Sequence, residues 1–175
     1  MEEIDAARKT CKRTGMKYMI YFGERVHVEG AVFAQQLIEQ GEIGQVLQMT
    51  ILAPHRLNKK TRPDWFFQKD KMGGIITDIG SHQIEQFLTY TGQEDAEVLY
   101  SAVANYANPD YPEFEDFGAG MLKASNGATC YFRLDWFTPD GLGAWGDGRV
   151  FLIGTKGTIE IRKYLNVGES SDGDN

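Results

Sequence analysis

Only two cysteines, Cys11 and Cys130, and three histidines occur in the 175-residue chain. Two cysteines cannot build a disulfide framework, and without CxxC spacing they offer no zinc site. They read as free thiols, which fits a reducing, cytoplasmic setting. A surplus of positive charge is missing too, since 18 Lys and Arg face 25 Asp and Glu for a formal net charge of −7. The basic residues are scattered, and binding nucleic-acid phosphates needs the reverse of both features. No apolar run approaches the ~20 residues that span a bilayer. The acidic start Met1-Glu2-Glu3-Ile4-Asp5 is not a secretory signal. No Gly-x-Gly-x-x-Gly follows a strand, the turn that cradles dinucleotide phosphates. No set of His, Cys, Asp and Glu has metal-ligand spacing, and there are no internal repeats.

What is present suits one sizeable core, with 42% hydrophobic and 25% charged residues. Periodicity predicts a helix over 3–14, with Ile4, Ala7 and Cys11 on one face and Gly15 as its stop. Met16 to Phe22 is an apolar run too short for a helix and suited to a buried strand. Helix, glycine turn and strand form the αβ half of a βαβ unit. Residues 1–27 are therefore expected to be the remnant of an α/β domain, and 28–175 a second domain. That second domain is predicted to hold a helix over 29–39, a strand over 45–53 and a helix over 75–90. Between the last two lies an irregular basic-aromatic loop, 54–72, with Arg56, Lys59, Lys60, Arg62, Trp65, Lys69 and Lys71. Strands follow at 97–105, 117–124, 128–137, 149–153 and 158–162, with hairpin signals at Ser125-Asn126-Gly127 and Gly154-Thr155-Lys156-Gly157. The expected fold class is α+β: an open, mainly antiparallel β-sheet with helices on one face, preceded by the αβ remnant. The polar Gly168–Asn175 stretch reads as a loop or frayed end.

Chemistry concentrates in Gly73-Gly74-Ile75-Ile76-Thr77-Asp78-Ile79-Gly80-Ser81-His82-Gln83-Ile84-Glu85. Asp78 and His82 stand four apart, so on a helix they share a face about one turn from each other. Glu85 extends that stripe, while Ile76, Ile84, Phe87 and Leu88 point toward the core. A carboxylate beside an imidazole favours its charged form and fixes its tautomer. Gly73, Gly74 and Gly80 cost helix stability and strip side chains from the segment, which suits close approach by something large. The plainer reading is a loop–helix junction with a surface Asp–His pair.

Further landmarks stand in order around this segment: Tyr21-Phe22-Gly23-Glu24-Arg25, Gly41-Glu42-Ile43-Gly44-Gln45-Val46, Asp116-Phe117, Asn126-Gly127-Ala128 and Ile153-Gly154-Thr155-Lys156-Gly157-Thr158. Together they make most of residues 1–163 resemble the Gfo/Idh/MocA family, that of glucose–fructose oxidoreductase and inositol dehydrogenase. The resemblance implies an N-terminal Rossmann domain binding NAD or NADP, then an α/β domain with substrate contacts and a sheet used for oligomerisation. It implies His82 as catalytic acid/base with Asp78 as its acidic neighbour, and places Gly73, Gly74 and Gly80 beside the cofactor. It also implies a sugar or polyol substrate and a homo-oligomer formed through the sheet face. The family's Glu-Lys-Pro segment is absent, as is the dinucleotide fingerprint. The chain is thus expected to be the substrate-binding, catalytic-histidine portion of an NAD(P)-dependent oxidoreductase, lacking most of its Rossmann domain and inactive alone. Two alternatives are a non-catalytic, sheet-mediated assembly module and an NAD-dependent glycosidase of the same family.

Arg25, Trp65 and Glu85 are the candidate substrate contacts. Arg25 leaves the expected first strand toward an interdomain cleft, or pairs on the surface with Glu24 or Glu29. Trp65 offers a ring face to a hydroxyl-rich ligand, or sits in a solvated loop. His27 and His55 lack partners at ligand spacing and read as structural or surface residues. Trp136 reads as packing on the sheet, and Tyr106–Tyr111 as an ordered inter-strand loop.

Overall fold

The computed structural model describes residues 2–163. The expected frayed end at Gly168–Asn175 lies outside the described residues. In chain order the elements are α1 (Glu2–Thr14), α2 (Gly23–Val26), α3 (Glu29–Glu39), β1 (Val46–Pro54), α4 (Lys69–Met72), α5 (Ser81–Thr91), β2 (Ala96–Ala104), β3 (Phe117–Ala124), β4 (Thr129–Asp135), β5 (Arg149–Gly154) and β6 (Thr158–Arg162).

The six strands form one open sheet in the order β2-β3-β4-β1-β5-β6. Only β1 and β4 run parallel, and the other four pairings are antiparallel. The difference follows from connection length. Gly127, at φ +89°, allows the tight turn between β3 and β4. The Gly154 N–H donates to Gly157 O at 2.8 Å to close the turn between β5 and β6. The long passage from β1 to β4 lets those strands align in parallel.

Register sorts side chains into two faces. On one face, Leu122, Cys130, Met49 and Leu152 form a row beside Phe132, Ile51, Val150 and Ile161. These residues are buried together with Ala34 of α3 and with Ile75, Ile79 and Phe87 around α5. Each such large side chain contributes about 1.5–3 kcal/mol when fully buried. Burial also pushes the Cys130 thiol up to about 12, so that cysteine acts as core filling. The opposite face carries Tyr100, Met121, Tyr131, Thr50 and Phe151 in register. Tyr100, Met121 and Tyr131 are exposed there. The helices therefore cover one face only, and the expected α+β class holds.

Two elements differ from expectation. The strand predicted over Met16–Phe22 does not form: these residues have no regular structure, and Met16, Tyr18, Met19, Ile20 and Tyr21 are exposed. A strand needs a neighbour for its backbone N–H and C=O groups, and no described strand pairs with this segment. α1 forms as predicted but has no buried residue, so its apolar stripe packs into no core. The helix predicted over 75–90 is divided into a π-turn at Ile76–Gly80 followed by α5.

Candidate active site

The Gly73–Glu85 segment is anchored at its start. Glu115 accepts the Ile75 N–H at 3.1 Å and is paired with the Lys69 ammonium. Gly74, at φ +87°, lies where any Cβ would strike the Glu115 carboxylate. Gly80 packs on Leu134 and Ile76, where a Cβ would meet atoms at 3.1 and 3.2 Å. Gly73, at φ +85°, closes α4 in the left-handed region. The space left by Gly74 and Gly80 is filled from within the chain, and both are buried. At both glycines the space a side chain would take is filled by the fold's own packing.

The π-turn widens one turn of helix, a distortion frequent at functional sites. Asp78 lies in it and His82 in the first turn of α5, and both line one pocket of about 350 Å³. Among the described residues no hydrogen bond joins them, so the pairing expected from their spacing is one of proximity. His82 Nδ1 is buried without a partner, and its ring stands edge-on to Phe22 at 5.7 Å. Asp78 keeps part of its surface exposed, yet desolvation by the pocket wall raises its carboxyl above the ordinary aspartate value, while His55, Arg62 and His82 pull the other way and only in part offset it.

The rest of the wall comes from the loop after β1 and the end of β4. Arg62, Trp65, Phe66, His55, Trp136 and Trp145 complete the lining. The Arg62 guanidinium lies 4.4 Å from the Phe66 ring centre, 5.2 Å from Trp136 and 5.5 Å from Trp145. Its Nε donates to Leu57 O at 2.8 Å, and its Nη2 is buried without a partner. The indole Nε1 of Trp136 is likewise buried and unpartnered.

Behind the pocket lies a buried polar cluster. His55 Nδ1 is 3.1 Å from Ala53 O, and its Nε2 is 3.3 Å from Glu24 Oε1. Glu24 also pairs with Lys163 and accepts Gln83 Nε2 at 2.8 Å. Gln86 Nε2 donates to Glu24 O at 2.9 Å and accepts Lys163 through its Oε1 at 3.1 Å. Burial alone would raise the Glu24 carboxyl, but Lys163 and His55 overcome it and hold it well below the usual carboxylate range. Four chain segments are locked together by this cluster: α2, α5, the end of β1 and the residue after β6.

Of the expected substrate contacts, Trp65 lines the pocket and is half exposed. Arg25 and Glu85 do not line it: they bind each other, with Arg25 Nε 2.7 Å from Glu85 Oε1 and Nη2 2.6 Å from the same oxygen. Arg25 also reaches Gln35 Oε1 at 2.8 Å. It stands on the helical turn α2, which forms where the end of a strand was expected, and neither Glu24 nor Glu29 is its partner. His55, Arg62, Trp136 and Trp145 were not singled out from the sequence as site residues. The signal for Arg62 was present in the basic-aromatic loop, whereas Trp145 lies 83 residues downstream and meets it only in the folded chain. Among the described residues, no group of three His, Cys, Asp or Glu is arranged for a metal ion, and no helix is long and apolar enough to cross a membrane.

Solved structures of similar fold include those of oxidoreductases. An oxidoreductase, provisionally so named, from Erwinia carotovora atroseptica shares 54% identity, with a TM-score of 0.90 over 97% of this chain and 51% of that one. Myo-inositol 2-dehydrogenase from Lactobacillus plantarum is 20% identical, with a TM-score of 0.74 over 92% of this chain and 47% of that one. Levoglucosan dehydrogenase, solved with NADH and levoglucosan, is 20% identical, with a TM-score of 0.75 over 92% and 44%. The two more distant structures show the shared fold alone. A search of curated proteins finds no match. Residues 32–160 match the family described as GFO/IDH/MocA C-terminal domain, and the chain belongs to that family. It spans about half the length of the solved structures it matches.

Proposed function

We propose that this chain is the substrate-binding and proton-transfer half of an NAD-dependent oxidoreductase acting on a sugar, polyol or related hydroxyl compound. The observation that carries the reading is the placement of His82 and Asp78 together in one pocket lined by three tryptophans. Aromatic walls with a few convergent polar groups suit a small ligand, and the pocket volume is adequate for a single sugar ring.

In this reading His82 takes the proton from the substrate hydroxyl during oxidation and returns it during reduction. Asp78 stabilises the imidazolium through space as a nearby carboxylate. The Glu24–His55 contact fixes the wall behind Asp78. NAD would supply the hydride chemistry. Its phosphates find no cradle here, since the chain lacks the glycine-rich turn. No step is therefore assigned to contacts between this chain and the dinucleotide. Residues 1–27 would belong with the nucleotide-binding part and residues 28–175 form the substrate domain. The exposed apolar row on the outer sheet face would be covered by a second copy.

The reading is tested by joining this chain to its nucleotide-binding half and following NADH formation over a panel of sugars and polyols. Turnover of at least one compound is expected. No turnover across the panel, with NAD shown to be bound, contradicts it.

A further inference from the structure

We propose that Glu115 is a positioning residue of this site: through one peptide group, Gly74–Ile75, it sets where Asp78 stands in the pocket shared with His82. The proposal rests on the reading of that pocket as the substrate site and adds a residue from outside its lining. The peptide is held on both sides. Its N–H, that of Ile75, donates to Glu115 Oε2 at 3.1 Å. Its C=O, that of Gly74, accepts the Asp78 N–H at 3.1 Å. A peptide group is planar, so a carboxylate that fixes the direction of the N–H also fixes that of the C=O. Asp78 is gripped a second time by Ser81, whose Oγ donates to the Asp78 C=O at 3.1 Å.

Without Glu115 this peptide would have latitude. Gly73 and Gly74 precede it at φ +85° and +87°, and glycine adopts either sign of φ at little cost. Ile75 stands just ahead of the π-turn, where a helix leaves its first N–H groups without an acceptor of their own. Ile75 is also fully buried, and a buried N–H left unmatched is costly. Glu115 supplies that acceptor from a firm mount. The next residue, Asp116, is fully buried and accepts the Tyr106 and Ala107 N–H groups, each at 2.8 Å. The Asp116 C=O in turn accepts the Trp136 N–H at 3.0 Å, and Trp136 lines the same pocket. Residues 115 and 116 thus tie the π-turn and part of the pocket wall to one support. The Lys69 ammonium, paired with Glu115 Oε1, orients the carboxylate.

Amide hydrogen exchange in the 175-residue chain reads the Asp78 N–H directly. In the unmodified chain the Ile75 and Asp78 amides should be protected together, since one peptide group serves both. A protected Ile75 beside an unprotected Asp78 overturns the proposal before any substitution is made. In Glu115→Ala the Asp78 rate should rise ~10-fold or more relative to the Phe87 amide in α5 and the Phe132 amide in β4. Glu115→Gln keeps an oxygen for the Ile75 N–H and should hold that ratio within about 3-fold of the original. An unchanged Asp78 rate in Glu115→Ala overturns the proposal, and so does an equal rise at all three amides, which marks a loss of overall stability. In the assembled enzyme, Glu115→Ala should lower kcat ~10-fold with NAD affinity kept, and Glu115→Gln should recover most of it. An equal loss of kcat in both variants assigns the effect to charge and overturns the peptide link. The exchange rates use no turnover, so they stand or fall apart from the proton-transfer role that His82→Ala tests.

Discussion

Arg25 and Glu85, 60 residues apart in sequence, form a two-pronged ion pair in which Arg25 Nε lies 2.7 and 2.9 Å from the two carboxylate oxygens. The pair ties α2 to α5 and so holds the helix that carries His82. Both side chains are largely shielded, and Glu85's hydrogen bond, with its charge, raises the Arg25 pKa against the lowering effect of burial. A double-mutant cycle of Arg25→Met and Glu85→Gln, read by chemical unfolding, should give a coupling of about 1 kcal/mol. A coupling near zero would reduce the pair to a surface contact.

Glu24 sets the acid limit of the fold. Its pKa in the folded chain is depressed, so its stabilisation is fully present above the unfolded value of ~4.3 and is lost as pH falls below it. Unfolding free energy should therefore drop as pH is lowered from about 5 toward the folded value. Glu24→Gln should flatten that slope and cost about 3–5 kcal/mol at neutral pH, because Lys163 loses its partner while buried. An unchanged slope in the variant would show that Glu24 is not the group responsible.

Asp78 has the opposite sign. Its folded pKa is raised by desolvation, so the cost to the fold grows as pH rises from the unfolded value of ~3.9 to the folded pKa and persists in full above it. Asp78→Asn should leave stability at pH 7 equal or higher, with any gain appearing as pH rises from about 4, while turnover of the assembled enzyme falls. Thermal melts from pH 4 to 7 beside turnover measurements check both halves. A clear loss of stability would mark Asp78 as a fold residue.

The outer sheet face predicts self-association. Met121 and Tyr131 face each other across β3 and β4, and both are exposed. An apolar row of that kind is commonly covered in an oligomer. Light scattering at tens of micromolar should show at least a dimer, and Met121→Glu should shift it toward monomer. A monomer before any substitution contradicts the prediction.

Much of the fold was legible because it is written locally. The hairpin at Asn126-Gly127 and the alternation along β3 and β4 follow from turn chemistry and pleat. The one-turn separation of Asp78 and His82 placed both on one pocket, although the π-turn between them left no period to read. Met16–Phe22 misled for a physical reason: an apolar run states what a segment can bury, not whether a neighbouring strand exists to receive it. Arg25 and Glu85 were both noticed, and their partnership was not, because it depends on how α2 docks against α5. His55 looked solitary in sequence since its partner, Glu24, lies 31 residues upstream and meets it only in the folded chain.

The central claim is that His82 transfers the substrate's proton, and its most direct measure is the turnover of His82→Ala in this chain joined to its nucleotide-binding half. Removal of a positioned acid/base should lower kcat by about 100- to 10,000-fold, with NAD affinity nearly unchanged. His82→Gln should fail similarly, because an amide can hydrogen-bond but cannot shuttle the proton. Retention of more than about half the original turnover by His82→Ala would contradict the account and return Asp78 and His82 to a helix-surface pair.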